Sequence, residues 1–446
     1  MERSALVEGG EGLPLFGVEG DVVALAGAAG GATAAGRQVL DGFGYVRSRV
    51  VAEDLRLSDG SRPGVVPAVS VLDPRVEPVL RDRIQTVVRC LRELVRRYAG
   101  DGRLRDFLDV PEALDRWVRA EPAPERLEVD WCRPDLLGET LGTVRVLEFN
   151  ASSPGGMLNM GMLTRFWRES AFGRVLEEWG VPPAPLESPT WFADWLLDYG
   201  QARGVARRAG RQVGLFHTRG RFEFAQMARQ LRDRGQRPVL LSPGAPDGDE
   251  LRLGYLKYIP LAPDDVRGWE AFCARACDGD LVIPNALAAR WVAENKLCLA
   301  ALSDPRFRYL FTQRECAALD ALVPFSRKLG DGITAADATA ERERLVLKAP
   351  YSCRGESVVM GVDTPPALWK RTVGDAAHQG WLVQERVAAG IVETADGPFL
   401  RDLVAPMLGG RVIGYGGRFS SEHLLNAAQG GRGAVVLSPW ALAPVS

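Results

Sequence analysis

The stretch from Thr143 to Gly156, TVRVLEFNASSPGG, constrains this chain more than any other. It opens with strand-like alternation and closes in Ser, Pro and Gly. Side chains of a strand point alternately to opposite faces, so the spacing predicts that Val144, Val146, Glu148 and Asn150 share one face. A carboxylate and an amide oxygen then stand together where a strand gives way to a glycine-rich turn. Upstream, Arg126–Trp131 also alternates, and the spacer Cys132–Gly142 carries Pro134, Gly138 and Gly142. That is the composition of a hairpin with a long loop, which would bring Asp130 beside Glu148 and Asn150. Three hard oxygen donors on adjacent strands suit Mg²⁺, which takes a few protein ligands and completes its shell with waters and phosphate oxygens. The competing reading is a hairpin whose polar residues cap a solvated end. A Glu-x-Asn motif outweighs it only through what lies downstream.

The 446 residues leave room for two or three domains with sizeable cores. A formal net charge of −2 sets up no strong field toward nucleic acid or an anionic membrane, so neither partner is expected. The small-residue run from Val22 to Thr33 is too short and glycine-rich to span a bilayer, and Met-Glu-Arg-Ser is no basic leader. A cytoplasmic protein is expected. Seven scattered cysteines fit reduced thiols rather than a disulfide framework. Cys273 and Cys277 lie one helical turn apart without a second pair, which argues against zinc. Only five of the 55 basic residues are lysine. In so arginine-rich a chain, a retained lysine points to a need for a compact charge on a flexible stem, as in phosphate binding.

The Gly-rich run 27–33 lacks the Gly-Lys-Ser/Thr of a Walker loop. From Pro74 to Tyr98, apolar residues recur at helical spacing beneath an Arg-rich face. A helix is expected over Met157–Trp179, followed by a proline-rich break at 182–189. Strands at Val213–Phe216, Pro238–Ser242 and Asp280–Asn285, alternating with helices at 222–235 and 269–277, predict a small parallel α/β unit with ligands near its strand C-termini. No Gly-x-Gly-x-x-Gly turn marks a dinucleotide site. A helix over Ala288–Leu302 contains Lys296. Arg344–Met360 reads as strand, polar loop, strand, with Lys348 at the base of the loop. Trp381–Val387 is another strand, two more flank Gly409–Gly410, and a polar Gly-rich segment runs from Arg418 to Ala434.

An oxygen cluster, two lysines, a lysine-based strand–loop–strand, a later apolar strand and a closing Gly-rich segment form one constellation. Backbone N–H groups of such a loop can cover a triphosphate while the lysine neutralises it. The constellation resembles the ATP-grasp ligases, in the circularly permuted order of eukaryotic-type glutathione synthetase and glutathionylspermidine synthetase. There the metal-binding Glu-x-Asn precedes the lysines rather than following them. Glu148 and Asn150, followed by Gly155–Gly156, match that motif, and Asp130 matches the acidic residue of the preceding strand. Lys296 of Glu-Asn-Lys resembles the first phosphate lysine, and Lys348 the second, at the mouth of the lid loop. Gln384, Glu385, Arg386 and Val387 resemble the adenine-binding hinge. Arg418 and the Gly430–Gly431 loop resemble the substrate-binding elements. The lid departs from the family: Tyr351 to Glu356 holds one glycine and a late glutamate, which puts a metal role for Glu356 in doubt. The resemblance covers roughly residues 125–446 and extends to peptide ligases of natural-product assembly, such as the one in pheganomycin biosynthesis.

The resemblance implies an α/β (α+β) ATP-grasp fold with four parts: an N-terminal helical segment (1–120), the permuted core with the metal hairpin (121–205), a small parallel α/β substrate domain (206–300), and the lid with the C-terminal core (301–446). It implies ATP and Mg²⁺, and ADP-forming joining of an amino acid or modified amino acid to a peptide or amine through an acyl phosphate. Lys348, Arg354 and Arg418 would act in catalysis, and Arg327, Arg418, Gly430 and Gly431 on substrate. A homodimer is a family expectation. Loading of a carrier protein or polyamine, and a nucleotide-binding protein without turnover, are the alternatives. The carboxylate and amine are not named by the sequence.

Overall fold

The computed structural model describes residues 10–16, 34–57, 60–120, 128–152, 154–217, 222–245, 251–257, 266, 268–285, 287–352, 357–394, 397–420, 431–442 and 444. The strands, in chain order, are β1 (Val65–Val71), β2 (Trp131–Leu137), β3 (Arg145–Asn150), β4 (Gln212–His217), β5 (Arg237–Leu241), β6 (Gly254–Lys257), β7 (Ser326–Lys328), β8 (Leu345–Lys348), β9 (Val358–Met360), β10 (Leu382–Glu385), β11 (Gly390–Thr394), β12 (Gly397–Arg401), β13 (Leu403–Val404), β14 (Met407–Leu408), β15 (Arg411–Val412), β16 (Tyr415–Ser420) and β17 (Arg432–Leu437). They form three sheets.

The largest sheet runs β1-β17-β16-β13-β2-β14-β15, with β3 on the free side of β2 and the β11–β12 hairpin on β16. All its pairs are antiparallel except β1 with β17. The first 120 residues are thus not helical only: β1 enters the main sheet. The helix Glu77–Tyr98 forms as its apolar spacing predicts, with Leu80, Ile84, Val87, Leu91 and Leu94 fully buried and Val79 on the exposed side. Its core continues through the Leu287–Ala293 and Leu297–Ser303 helices to Leu136, Val144 and Val146.

The expected strand Arg126–Trp131 is displaced. Strand β2 starts at Trp131 and runs through Pro134. Pro134 accepts from Ala405 N–H at 3.1 Å but has no N–H to return, and the facing strand is interrupted there, between β13 and β14. A one-residue bulge at Leu147 corrects a second expectation. Val146 pairs with Leu136 while Glu148 pairs with Asp135. These partners are neighbours on β2 and face opposite sides, so Val146 enters the core while Glu148 and Asn150 share the other face with Asp135 and Arg133. A bulge of this kind re-aims side chains and frees one backbone group from the ladder.

The four-stranded antiparallel sheet β7-β10-β8-β9 covers its own core of Leu345, Leu347, Val383, Trp369 and Val373, packed beneath the helix Pro366–His378. Its opposite face carries Lys348, Gln384 and Ser326 in register. The small parallel sheet β5-β4-β6 agrees with the predicted α/β unit except in its third strand. Gly254–Lys257 takes that place, and 280–285 contributes only a bridge from Val282 to Leu253. Trp131, Trp191, Trp195, Phe192 and Tyr255 pack with ring centroids 4.7–5.8 Å from Trp131 and join this unit to β2. Among the described residues no helix is long and apolar enough to cross a membrane.

Candidate active site

Two lysines from different elements converge on the end of β3. The predicted helix over Ala288–Leu302 breaks at Glu294–Lys296, where Asn295 Oδ1 accepts from Leu297 N at 2.9 Å and its amide donates to Leu108 O at 2.8 Å. The break turns Lys296 toward Glu148, with Nζ 3.5 Å from Oε2, and toward Ser352 O at 2.8 Å. Its backbone N–H meets Pro350 O at 2.9 Å, tying it to the lid strand. Lys348, at the end of β8, donates to the carbonyl of the bulged Leu147 at 2.9 Å and to Gln384 Oε1 at 2.7 Å. Both lysines are buried.

Burial pushes the Lys348 ammonium down to about 8, with Glu148 opposing the shift and Lys296 adding to it. Burial alone would raise Glu148, but Lys296 and Lys348 hold its carboxyl below the ordinary range. Asp135 is also held down against its burial, by Arg133 and Arg418.

The residues beside Glu148 differ from the expected trio. Asp130 precedes β2, and its carboxylate faces Arg203 at 3.4 Å. It lies about 16 Å along the strand from Asp135, which is the residue opposite Glu148. Asp135 Oδ1 accepts from Arg133 Nε at 2.7 Å and Asn150 Nδ2 at 3.2 Å, and Oδ2 from Arg133 Nη2 at 2.9 Å and Arg418 Nη2 at 2.8 Å. A carboxylate has about four acceptor positions, so Asp135 is fully engaged. Asn150 also donates to Arg133 O at 3.2 Å. Its amide nitrogen is thereby directed at protein acceptors and its Oδ1 away from them. The Arg133/Asp135 alternation was visible in the sequence, but Pro134 between them masked it as loop.

The other expected residues fall as follows. Gln384 is interior and bonds Lys348 and, at 3.3 Å, Ser326 Oγ; it braces the lysine. The N–H groups of Glu385 and Arg386 are taken by Phe325 O and Arg344 O, at 2.9 and 2.7 Å. Val387 follows the strand, partly exposed. Arg327 pairs with Val383, so alternation places it on the face opposite Lys348, where it covers the Phe325 ring and bonds Ser303 Oγ at 3.0 Å. Arg418 sits in β16, joined to Asp402 and Asp135. It commits two edges to protein carboxylates rather than opening a polar segment. Gly431 is buried before β17. Arg354, Glu356 and Gly430 lie outside the described residues.

Sequence reasoning also missed Lys257 and Glu223. Lys257 ends β6 opposite His217 of β4 and pairs with Glu223, whose other oxygen accepts from Gly156 N at 2.6 Å. The C-terminal edge of the small sheet thus meets the glycine turn after β3. Among the described residues, no three His, Cys, Asp or Glu side chains are grouped to hold a metal ion by themselves.

No family model matches the chain, and no curated protein does. Among solved structures, an apo-form glutathione synthetase-like effector from Globodera pallida is similar over 90% of this chain and 96% of its own, at 13% identity and a TM-score of 0.55. A protein provisionally described as a gamma-glutamylcysteine synthetase, from Methylobacillus flagellatus, covers 76% of this chain and 83% of its own at 13% identity, with a TM-score of 0.35, too loose to bear on the fold. The chain therefore shares the mixed α/β fold of a glutathione synthetase-like protein.

Proposed function

We propose that this chain is an ATP-dependent carboxylate–amine ligase of the permuted ATP-grasp type, joining an amino acid or modified amino acid to a peptide or amine through an acyl phosphate. The observation that carries the reading is the meeting of Lys296, Lys348, Glu148 and Asn150 between two sheets. Two buried ammonium groups beside one ionised carboxylate form an anion site in want of phosphate. The order of elements, Glu-x-Asn strand before lid lysine, is the permuted one.

The donor set fits Mg²⁺. Glu148 is held ionised and partly exposed, and Asn150 Oδ1 is turned away from its neighbours. A hard cation completes its shell with water and phosphate oxygens. Glu148 and Asn150 would hold it, with Asp135 in place of Asp130 orienting the asparagine. When bound, the ion offsets charge on the phosphate oxygens.

Lys296 and Lys348 bind the phosphates as point charges. Gln384 fixes the Lys348 rotamer, and Val387 and the carbonyls after β10 offer an edge to adenine. The four-stranded sheet keeps water from the activated carboxyl. That carboxyl forms when the substrate carboxylate attacks the γ-phosphorus and ADP leaves; the amine then displaces phosphate. Acid and amine enter between Gly155–Gly156 and the C-terminal edge of the small sheet, where Lys257 and Glu223 present opposite charges.

The test is product analysis with ATP, Mg²⁺ and a panel of amino acids, guanidino acids and short peptides. ADP release that needs both an acid and an amine supports the reading. AMP release refutes it.

A further inference from the structure

Immediately after Asn150, the backbone of Ala151 and Ser152 is gripped on all four of its polar groups by side chains from one distant segment. The N–H groups of Ala151 and Ser152 both donate to Glu294 Oε2, at 2.8 and 2.7 Å. The Ala151 carbonyl accepts from Asn285 Nδ2, and the Ser152 carbonyl from Arg290 Nη1. Asn285 also holds the Trp131 N–H and C=O, at 2.8 and 2.5 Å. Asn285, Arg290 and Glu294 are 2%, 1% and 5% exposed. Two residues beyond Glu294 the same segment delivers Lys296 to Glu148.

Burying a carboxylate, a guanidinium and an amide around two loop residues is costly for stability alone, where an apolar plug would serve. Such a network, once satisfied, is rigid and specifies one geometry. What it holds rigid is the end of the strand bearing Glu148 and Asn150, in fixed relation to Lys296. We infer that Glu294 is a positioning residue for the divalent cation: by pinning Ala151 and Ser152 it sets where Asn150 Oδ1 and the Glu148 carboxylate stand. This rests on the ligase reading above.

The experiment titrates Mn²⁺ by electron paramagnetic resonance against the full chain with a non-hydrolysable ATP analogue, alongside thermal melting and the Mg²⁺ dependence of turnover. Loss of a group that orients a metal ligand typically costs about tenfold or more in metal affinity. Glu294→Ala is expected to weaken Mn²⁺ by about that factor and to raise the half-saturating Mg²⁺ in step, with the amine KM unchanged. Glu294→Gln keeps one carbonyl oxygen to accept both N–H groups and is expected to stay close to the parent. If the alanine variant does not fold, Glu294→Asp, which retains the charge but falls one methylene short, carries the same expectation. Unchanged Mn²⁺ affinity in the alanine or aspartate variant overturns the inference. So does a parallel loss of metal, nucleotide and amine binding that follows the melting temperature, or a glutamine variant as impaired as alanine. A parent chain that binds neither Mn²⁺ nor the analogue would overturn the ligase reading instead.

Discussion

Nucleotide affinity is expected to fall as the pH rises past about 8, and Lys348 is the reason. Its ordinary value is 10.5, and burial at the junction of the two sheets brings it down to about 8. The displacement corresponds to about 3 kcal/mol against the charged form. Only the ammonium neutralises phosphate, so nucleotide binding takes up a proton above that value. Affinity is therefore full below about pH 8 and drops about tenfold per pH unit above it. An unshifted lysine would hold affinity nearly flat to about pH 10. For folding the sign is reversed. The folded value lies below the unfolded one, so the nucleotide-free chain carries the cost in full below about 8 and gains stability from this group as the pH climbs toward 10.5. The assay is displacement of a fluorescent ATP analogue at constant ionic strength, from about pH 6.5 to about pH 9.5. Lys348→Arg serves as the control: its charge does not titrate, so its weaker binding should be flat. A flat parent profile, or the same slope in the arginine variant, would refute the reasoning.

Other outcomes follow from the same geometry. Glu148→Gln is expected to slow ADP release by about 10²-fold or more, read by coupled assay, and to lower the melting temperature in calorimetry, because it leaves Lys296 and Lys348 without their carboxylate. Asp130→Asn should leave Mn²⁺ affinity within about threefold, since its carboxylate faces Arg203, whereas Asp135→Asn should weaken it about tenfold through Asn150. Gly161→Ala would drive a Cβ into the Leu186 carbonyl oxygen, and a loss of about 2 kcal/mol in chemical denaturation is expected. Trp369→Ala, which empties the core under the four-stranded sheet and removes a 3.0 Å bond to Ala338 O, should cost about 3–5 kcal/mol by the same measurement.

Much of the organisation could be read from local pattern. The helix Glu77–Tyr98, the β4–β5 pair with the helix Phe222–Asp233 between them, and the Lys348 strand–loop–strand all follow from periodicity and turn chemistry. Lys296, Lys348, Glu148 and Asn150 were picked out by residue type and order, and the fold brings them together. The errors have a common cause in tertiary pairing. Pro134 looks like a loop until β13 and β14 are seen to part opposite it. The Leu147 bulge, which separates Val146 from Glu148, exists only in the register with β2. Asp135 was hidden by the first effect, and Arg327 faces away from Lys348 through the strand register of β7 with β10. Asn285, Arg290 and Glu294 act on a loop more than 130 residues earlier in the chain, a distance no local pattern reports.

The most direct test of the central claim is an isotope transfer. With any acid and amine that together support ADP release, the acid's carboxylate is labelled with ¹⁸O and the released phosphate is examined by ³¹P NMR or mass spectrometry. An acyl phosphate formed at Lys296 and Lys348 predicts one ¹⁸O atom in each phosphate per turnover. Phosphate free of label, with ADP still formed, would mean that the carboxylate never attacked the γ-phosphorus and would contradict the account.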